Sequence, residues 1–316
     1  MSEQSFSYKL KDELLTKINS RAKADVCLMG MLTFCNTLCD SEIVFLTGHR
    51  GAALFFALNC ARVCLGRDIE SLEDAAEVVS VSKSVKKDGT TLYKIEVTGD
   101  EDRLTLLSYF RMDNSRRLTP DDLPKAKYYP QLIAGIFLSC GSLNDPEKKY
   151  HLEFVMPNIQ LCNDFGLLLL ENYGILAKQT ERKNSQIVYI KESENIIDLL
   201  TVMGATGSSL ELMNIKILKD IRNKINRAVN CDNANIEKTL KAAEKQVEDI
   251  ELIDATVGID SLPEALQEIA RLRYENPDIS LKELGTMLKP PISRSGVNHR
   301  LVRLSETADR IRKEKH

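Results

Sequence analysis

The sequence predicts two α+β halves related by pseudo-symmetry, followed by an all-α helix-turn-helix unit. Three observations predict it. An apolar helix recurs 105 residues later, the same order of elements follows each copy, and three amphipathic helices with start signals close the chain. The first copy reads VCLMGMLTFCNTLCD over residues 26–40, and the second QLIAGIFLSCGSLND over 131–145. Setting Gly30 on Gly135 also sets Met29 on Ala134, Met31 on Ile136, Cys35 on Cys140, Leu38 on Leu143 and Asp40 on Asp145. A run that is apolar nearly throughout, with glycine at mid-helix, suits a helix buried on most sides whose backbone approaches a second helix closely.

The elements after each copy match in kind. After the first come a strand over 43–47, an apolar helix over 52–66, and two strands, AEVVSVSK and TLYKIEVT, turned at Lys87-Asp88-Gly89. After the second come a strand over 151–156, a helix over 162–174, and the strands ILAKQTER and QIVYIKES, joined around Lys183-Asn184. A shorter helix closes each half, over 101–111 and 193–203. MDNSRRLTPDDLPKAKYYP, with three prolines, reads as the linker between them. The expected divisions are a first half over 1–111, a linker over 112–127, a second half over 128–213, connecting helices over 214–258 and the helix-turn-helix unit over 259–316.

Within the connecting region, residues 214–230 read as an amphipathic helix with Leu218, Ile221, Ile225, Ala228 and Val229 on one side. Lys216, Lys219, Asn223, Asn226, Arg227 and Asn230 fall on the other, and the segment carries a net +4. That polar side is either a solvated face or a secondary contact to DNA phosphates through Lys216, Lys219, Asn223, Asn226 and Arg227. A second helix, richer in acid, is expected over 235–253.

In the tail, Ser261 and Glu264 form an expected capping box opening a helix to Glu275, with Leu262, Leu266, Ile269 and Leu272 inward. Asn276-Pro277-Asp278 breaks that helix. Ser280 and Glu283 form a second box before SLKELGTML, where Gly285 takes a tight helix-crossing position. Lys289-Pro290-Pro291 turns the chain, and Ser293 caps a third helix whose buried stripe is Val297, Leu301 and Leu304. The face opposite carries Ser295, Asn298, His299, Val302 and Arg303. Such a three-helix unit predicts double-stranded DNA as partner, with Ser293, Arg294, Ser295, Asn298, His299, Arg300 and Arg303 as the contact set. Asn298 and His299 suit base edges, and Arg300 and Arg303 suit phosphates. A helical protein-interaction tail would share the core pattern without needing those polar residues on one helix.

Composition bounds the rest. Lys and Arg total 43 against 46 Asp and Glu, a net of −3, which excludes a uniformly basic DNA coat and a polyacidic disordered chain. The whole-chain balance hides local excess: residues 276–316 carry nine basic and five acidic groups. No apolar run reaches the ~18–20 residues of a membrane span, and the charged start is not expected to be a signal peptide. Eight cysteines without that signal suggest reduced thiols in the cytoplasm. The pairs Cys35/Cys39 and Cys60/Cys64 have the spacing of half a zinc site, but in apolar helices cysteine is more often a small core residue. No phosphate loop, nucleophile elbow or Cys/His dyad is found, and the four histidines do not stand at ligand spacing. The expectation is no metal, no cofactor and a monomer.

The two glycine-centred helices resemble the LAGLIDADG helices of homing endonucleases. Laid on Leu28–Asn36 and Ile133–Gly141, the family's metal-binding acids fall on Cys35 and Cys140, which cannot hold a hard cation as carboxylates do. Asp40 and Asp145, five residues on, are the remaining candidate ligands for a residual nuclease. Such a pair followed by a helix-turn-helix resembles the WhiA family. The phrases carrying that likeness are GSLNDPEKKYHLEF (141–154), ILKDIRNKINRAVNCDNANIEKT (217–239) and SLKELGTMLKPPISRSGVNHRL (280–301). A departure is Tyr128-Tyr129-Pro130, where members often carry a cysteine pair and basic residues. The resemblance implies a non-enzymatic DNA-binding regulator of transcription from a Gram-positive bacterium, tied to sporulation or cell division and associated with the nucleoid. It leaves open whether the degenerate nuclease domain grips DNA or a protein of the transcription or division machinery. A residual endonuclease and a division scaffold are the rival readings.

Overall fold

A computed structural model describes residues 4–87, 89–113, 115–118, 121, 123–183 and 185–314. Asp88 and Asn184 of the expected turns, Pro120 of the linker and His316 lie outside the described residues. By its contacts the chain divides into residues 1–219 and 220–316.

The first unit opens with helices α1 (Phe6–Thr16) and α2 (Arg21–Thr33), then strands β1 (Thr37–Cys39) and β2 (Glu42–Thr47). Helices α3 (Arg50–Leu65) and α4 (Leu72–Ala75), strands β3 (Val79–Val85) and β4 (Thr91–Val97) and helix α5 (Asp100–Tyr109) complete the first half. The second half holds α6 (Tyr129–Cys140), β5 (Gly141–Leu143), β6 (Leu152–Met156), α7 (Ile159–Tyr173), β7 (Lys178–Arg182), β8 (Ser185–Ile190) and α8 (Ser193–Met203). The two antiparallel sheets have the same order, β1-β2-β4-β3 and β5-β6-β8-β7. Their registers correspond: Leu38 opposes Ile43 as Leu143 opposes Leu152, and Phe45 opposes Ile95 as Phe154 opposes Val188. The pseudo-symmetric α+β class read from the repeat is the observed one.

Each half has its own core, and α2 and α6 join them. The joint depends on the two aligned glycines. A Cβ on Gly30 would stand 2.5 Å from the Leu132 carbonyl, and one on Gly135 would collide with the Cys27 carbonyl. Backbone therefore meets backbone at this crossing, which side chains of any size would prevent.

Three elements add to the sequence reading. Helix α1 lies in a stretch whose polar and apolar residues alternate, yet Leu10 and Leu14 are buried at helical spacing and Ser5 caps it through the Tyr8 amide. Strands β1 and β5 are three residues each, too short for alternation to register. The connecting segment is also tied down. Arg117 grips Asp164 of α7 with two nitrogens at 2.7 and 2.8 Å, and Leu118 is buried in the second core.

Helix α9 (Thr206–Thr256) replaces the two helices expected over 214–230 and 235–253. Neither glycine nor proline occurs between Gly207 and Gly258, so nothing at Cys231-Asp232-Asn233 obliges a break. Its start is capped at a distance by Glu13, which accepts from the Gly207 amide at 2.7 Å and the Ser208 amide at 2.9 Å. Burial pushes the Glu13 carboxyl up, but the Ser208 hydroxyl, the two amides and Lys17 more than reverse this, so it titrates below its ordinary range. A carboxyl depressed on folding adds stability above its unfolded value, and that stability is lost as pH falls through the folded one. Glu13→Gln is expected to cost ~0.5–2 kcal/mol at pH 7, as losses of helix caps do. Urea midpoints of the two proteins should converge in acid; a gap that persists there would contradict this charge-based cap.

In the second unit, the end of α9 packs with α10 (Glu264–Glu275), α11 (Leu281–Met287) and α12 (Arg294–Glu314). Ile250, Ile253, Leu266, Ile269, Leu284, Val297, Leu301 and Leu304 form its core. The capping box expected at Ser261 and Glu264 does not form. Ser261 ends a 3₁₀ turn with its hydroxyl on the Gly258 carbonyl at 2.7 Å, and Pro263 is the N-cap of α10 without a side-chain bond. Proline before the first helical residue already fixes the entry dihedral, so the serine is used one turn earlier. The second box does form, with Ser280 and Glu283 bonding each other's amides.

Candidate nucleic-acid interface

Helices α11 and α12 cross at Gly285, where an added Cβ would meet the Ile292 carbonyl backbone and the Val297 side chain. The intervening turn closes through the Ile292 amide on the Gly285 carbonyl at 3.0 Å. Buried Arg273 of α10 donates to the Pro277 and Ile279 carbonyls at 3.1 and 2.9 Å, holding the breaker segment in front of α11. These contacts fix the direction of α12. Its start is capped by Ser293, whose hydroxyl accepts from the Gly296 amide at 3.3 Å.

With Val297, Leu301 and Leu304 buried, helical geometry turns Ser295, His299, Val302 and Arg303 to solvent. Ser293, Arg294 and Asn298 are exposed at its N-terminal edge. Arg300 departs from the expected set: it is half-buried on the other edge, and its guanidinium reaches the Ala265 carbonyl at 3.4 Å. Arg294 and Asn298 line a cleft of about 460 Å³ with Lys238 and Thr239 of α9 and Lys282 of α11. Lys238 and Lys282 were not in the contact set read from sequence. Lys282 follows the Ser280 cap and could have been found there; Lys238 lies outside the motif and carries no local signal.

The secondary set on α9 is divided. Lys216 is paired with Glu194, and Lys219 donates to the Pro146 carbonyl at 2.7 Å over the Tyr150 ring. Both are engaged within the first unit. Asn223, Asn226 and Arg227 are exposed, but so are Ile221, Ile225 and Val229, which the sequence reading grouped on the other side of the helix.

At the base of the paired helices α2 and α6, Cys35 is buried and Cys140 half-buried. Burial pushes both thiols up to about 12, so both are neutral near pH 7. Two protein cations cap the carbonyls there. Arg116 donates to the Thr33 carbonyl at 2.8 Å and to that of Cys35, and Lys11 donates to the Leu138 carbonyl at 3.3 Å. Burial brings the Lys11 amine down to about 8. Cations with neutral thiols repel a metal ion where carboxylates would attract one.

Asp40 and Asp145 stand away from these helix ends, at the turns after β1 and β5. The Asp40 carbonyl accepts from Arg103, and the Asp145 carboxylate from the Glu147 amide. Of the four candidate zinc cysteines, Cys35 bonds the Thr37 carbonyl, Cys39 meets Ser41 and Cys64 bonds the Asp102 carbonyl, while Cys60 lies with Cys35 in the first core. On the sheets, Lys94 pairs with Glu96 at 2.7 Å and Arg182 with Glu153 at 3.6 Å, so neither sheet presents an uncompensated basic row at these positions.

Two family models match the chain: the WhiA LAGLIDADG-like domain over residues 130–222 and the WhiA C-terminal HTH domain over 225–308. A "Probable cell division protein WhiA" of Clostridium perfringens strain 13 is 38% identical over 98% of each chain. One of Clostridium acetobutylicum is 47% identical over 71% of this chain and 68% of its own. The crystal structure of full-length DUF199/WhiA from Thermatoga maritima superposes with a TM-score of 0.53 at 24% identity, covering 97% of this chain and 99% of that one, which supports the shared fold. Among the described residues no helix is long and apolar enough to cross a membrane.

Proposed function

The chain belongs to the WhiA family, and from that premise we propose that it is a non-catalytic, sequence-specific DNA-binding protein that regulates transcription in connection with cell division or sporulation. The observation that carries this reading is the exposed face of α12. Its polar residues lie opposite a fully apolar stripe, and its leading edge shares a cleft with lysines from two other helices. Ser293, Arg294, Ser295, Asn298 and His299 are proposed to enter the major groove, where serine, asparagine and helix-terminal amides read base edges and adjoining phosphates. Arg303 is proposed to contact phosphate, with Lys238 and Lys282 beside the groove. Arg300 is proposed as the weakest contact, because its guanidinium is already engaged by α10. This work would be done in the cytoplasm, at the nucleoid.

At the helix bases, Arg116 and Lys11 stand as cations and both aligned acid positions are thiols, a set that suits no metal-dependent cut. A two-metal cut needs paired carboxylates at the scissile phosphate. Bound duplex incubated with Mg²⁺ or Mn²⁺ should stay intact. Cutting that disappears on changing Asp40 or Asp145 would establish the nuclease instead.

A phosphate contact weakens all DNA sequences about equally and contributes to the salt dependence. Arg303→Ala should lower the slope of log affinity against log salt by about 1. An unchanged slope would remove Arg303 from the interface. Protein partners in the transcription or division machinery are proposed to dock on the first unit, whose sheets carry paired rather than uncompensated charge at Lys94/Glu96 and Arg182/Glu153.

A further inference from the structure

In α9, residues 220–242 are exposed on every side, yet one side carries Ile221, Ile225, Val229, Ile236 and Leu240, each between 46% and 57% exposed. A helix in a protein draws most of its stability from packing an apolar face, and this stretch packs none of its own. It also contains five asparagines, at 223, 226, 230, 233 and 235, which are poor helix formers. Something must cover the stripe, and its arrangement identifies what. Ile221, Ile225 and Val229 recur eleven residues on as Asp232, Ile236 and Leu240, the period at which helices pair with a slight right-handed supercoil.

The stripe is also self-complementary when reversed about the Asn230–Cys231 peptide bond. Ile221 then faces Leu240, Ile225 faces Ile236, and Val229 faces Asp232. Arg222 and Glu237 border the same edge of the stripe, and in that register they fall within two residues of each other across the pair, opposite in charge. We propose that the partner of this face is a second copy of the chain, its residues 220–241 lying antiparallel on the same residues of the first. This departs from the monomer expected from sequence. The inference is independent of the DNA reading. Asp232 is the flaw in the stripe: two copies of it flank the two-fold axis, and their repulsion keeps the pair reversible.

The test uses the full chain. Its mass in sedimentation equilibrium should rise with concentration from 35.6 kDa toward twice that value. Ile225→Gln with Ile236→Gln should hold it at one chain, and glutamine keeps the helix propensity of the site. A second measurement reads the register. In a Cys231→Ser chain, Asp232→Cys stands beside the axis, offset from its own copy by three residues or about 4.5 Å along the pair, close enough for the two thiols to meet. Arg227→Cys is on the opposite side of the same helix. Oxidation should yield a covalent dimer from the first and none beyond background from the second. One-chain mass at every concentration would overturn the proposal, and would be the result if residues 1–219 of the same chain covered the stripe. A dimer that survives both glutamines, or equal cross-linking from positions 227 and 232, would also overturn it.

Discussion

Gly135→Val is expected to unfold the first unit under conditions in which the parent chain is stable. At the crossing of α2 and α6 a side chain on residue 135 would enter the space of the Cys27 backbone, not of a movable side chain. Overpacking a core costs ~1–3 kcal/mol when side chains can give way. Here two helices that join both cores would have to separate, so a loss of ~3 kcal/mol or more is expected, a large fraction of the ~5–15 kcal/mol that holds a domain together. Gly166→Ala is the control. It lies within α7, its new Cβ would meet only the Gln179 amide at 3.4 Å, and alanine favours the helix by ~0.5–1 kcal/mol. Denaturant curves of the two variants should therefore move in opposite directions. A Gly135→Val chain with the parent midpoint would show that the helices do not meet through these glycines.

The second large effect belongs to the end of α12. Asp249 of α9 is fully buried and bonds the Arg312 guanidinium at 2.6 Å, while Arg312 itself is 40% exposed. Removing one partner of a buried pair costs ~3–5 kcal/mol because the other charge is left without compensation. Arg312 is itself partly exposed, so water reaches the vacated site and Arg312→Leu should lose less than that, though more than an ordinary surface substitution. Asp249→Leu should cost less, because the surviving guanidinium swings into solvent. Thermal unfolding of both single variants and the double variant measures the difference. Equal losses from the two single changes would mean that burial of Asp249 does not govern the pair.

Local chemistry was what the sequence made legible. Gly30 and Gly135 could be aligned because a small residue interrupts each apolar run at one register, and the box at Ser280 and Glu283 formed because both partners lie within one turn. The box at Ser261 failed for a local reason as well, Pro263 having taken its place. What stayed hidden depends on residues far apart in the chain. Arg116 on the carbonyls of Thr33 and Cys35, Glu13 on the start of α9, and Lys238 beside Asn298 have no sequence pattern. Periodicity showed correctly that Ile221, Ile225 and Val229 share a side; it could not tell whether the chain itself covers that side. Likewise Arg300 fits a basic recognition helix by type, and only the packing of α10 reveals that it points elsewhere.

The central claim is that α12 reads sequence. Duplexes selected from a random pool by the full chain would be compared with unselected duplex, at one salt concentration, for the parent and for Asn298→Ala with His299→Ala. The parent should prefer its selected site by at least ~10³-fold, as specific binders do. Each lost base contact is worth ~1–3 kcal/mol, so the double variant should lose most of that preference while keeping its affinity for unselected DNA. A double variant that still selects the same site with the same preference would contradict the account.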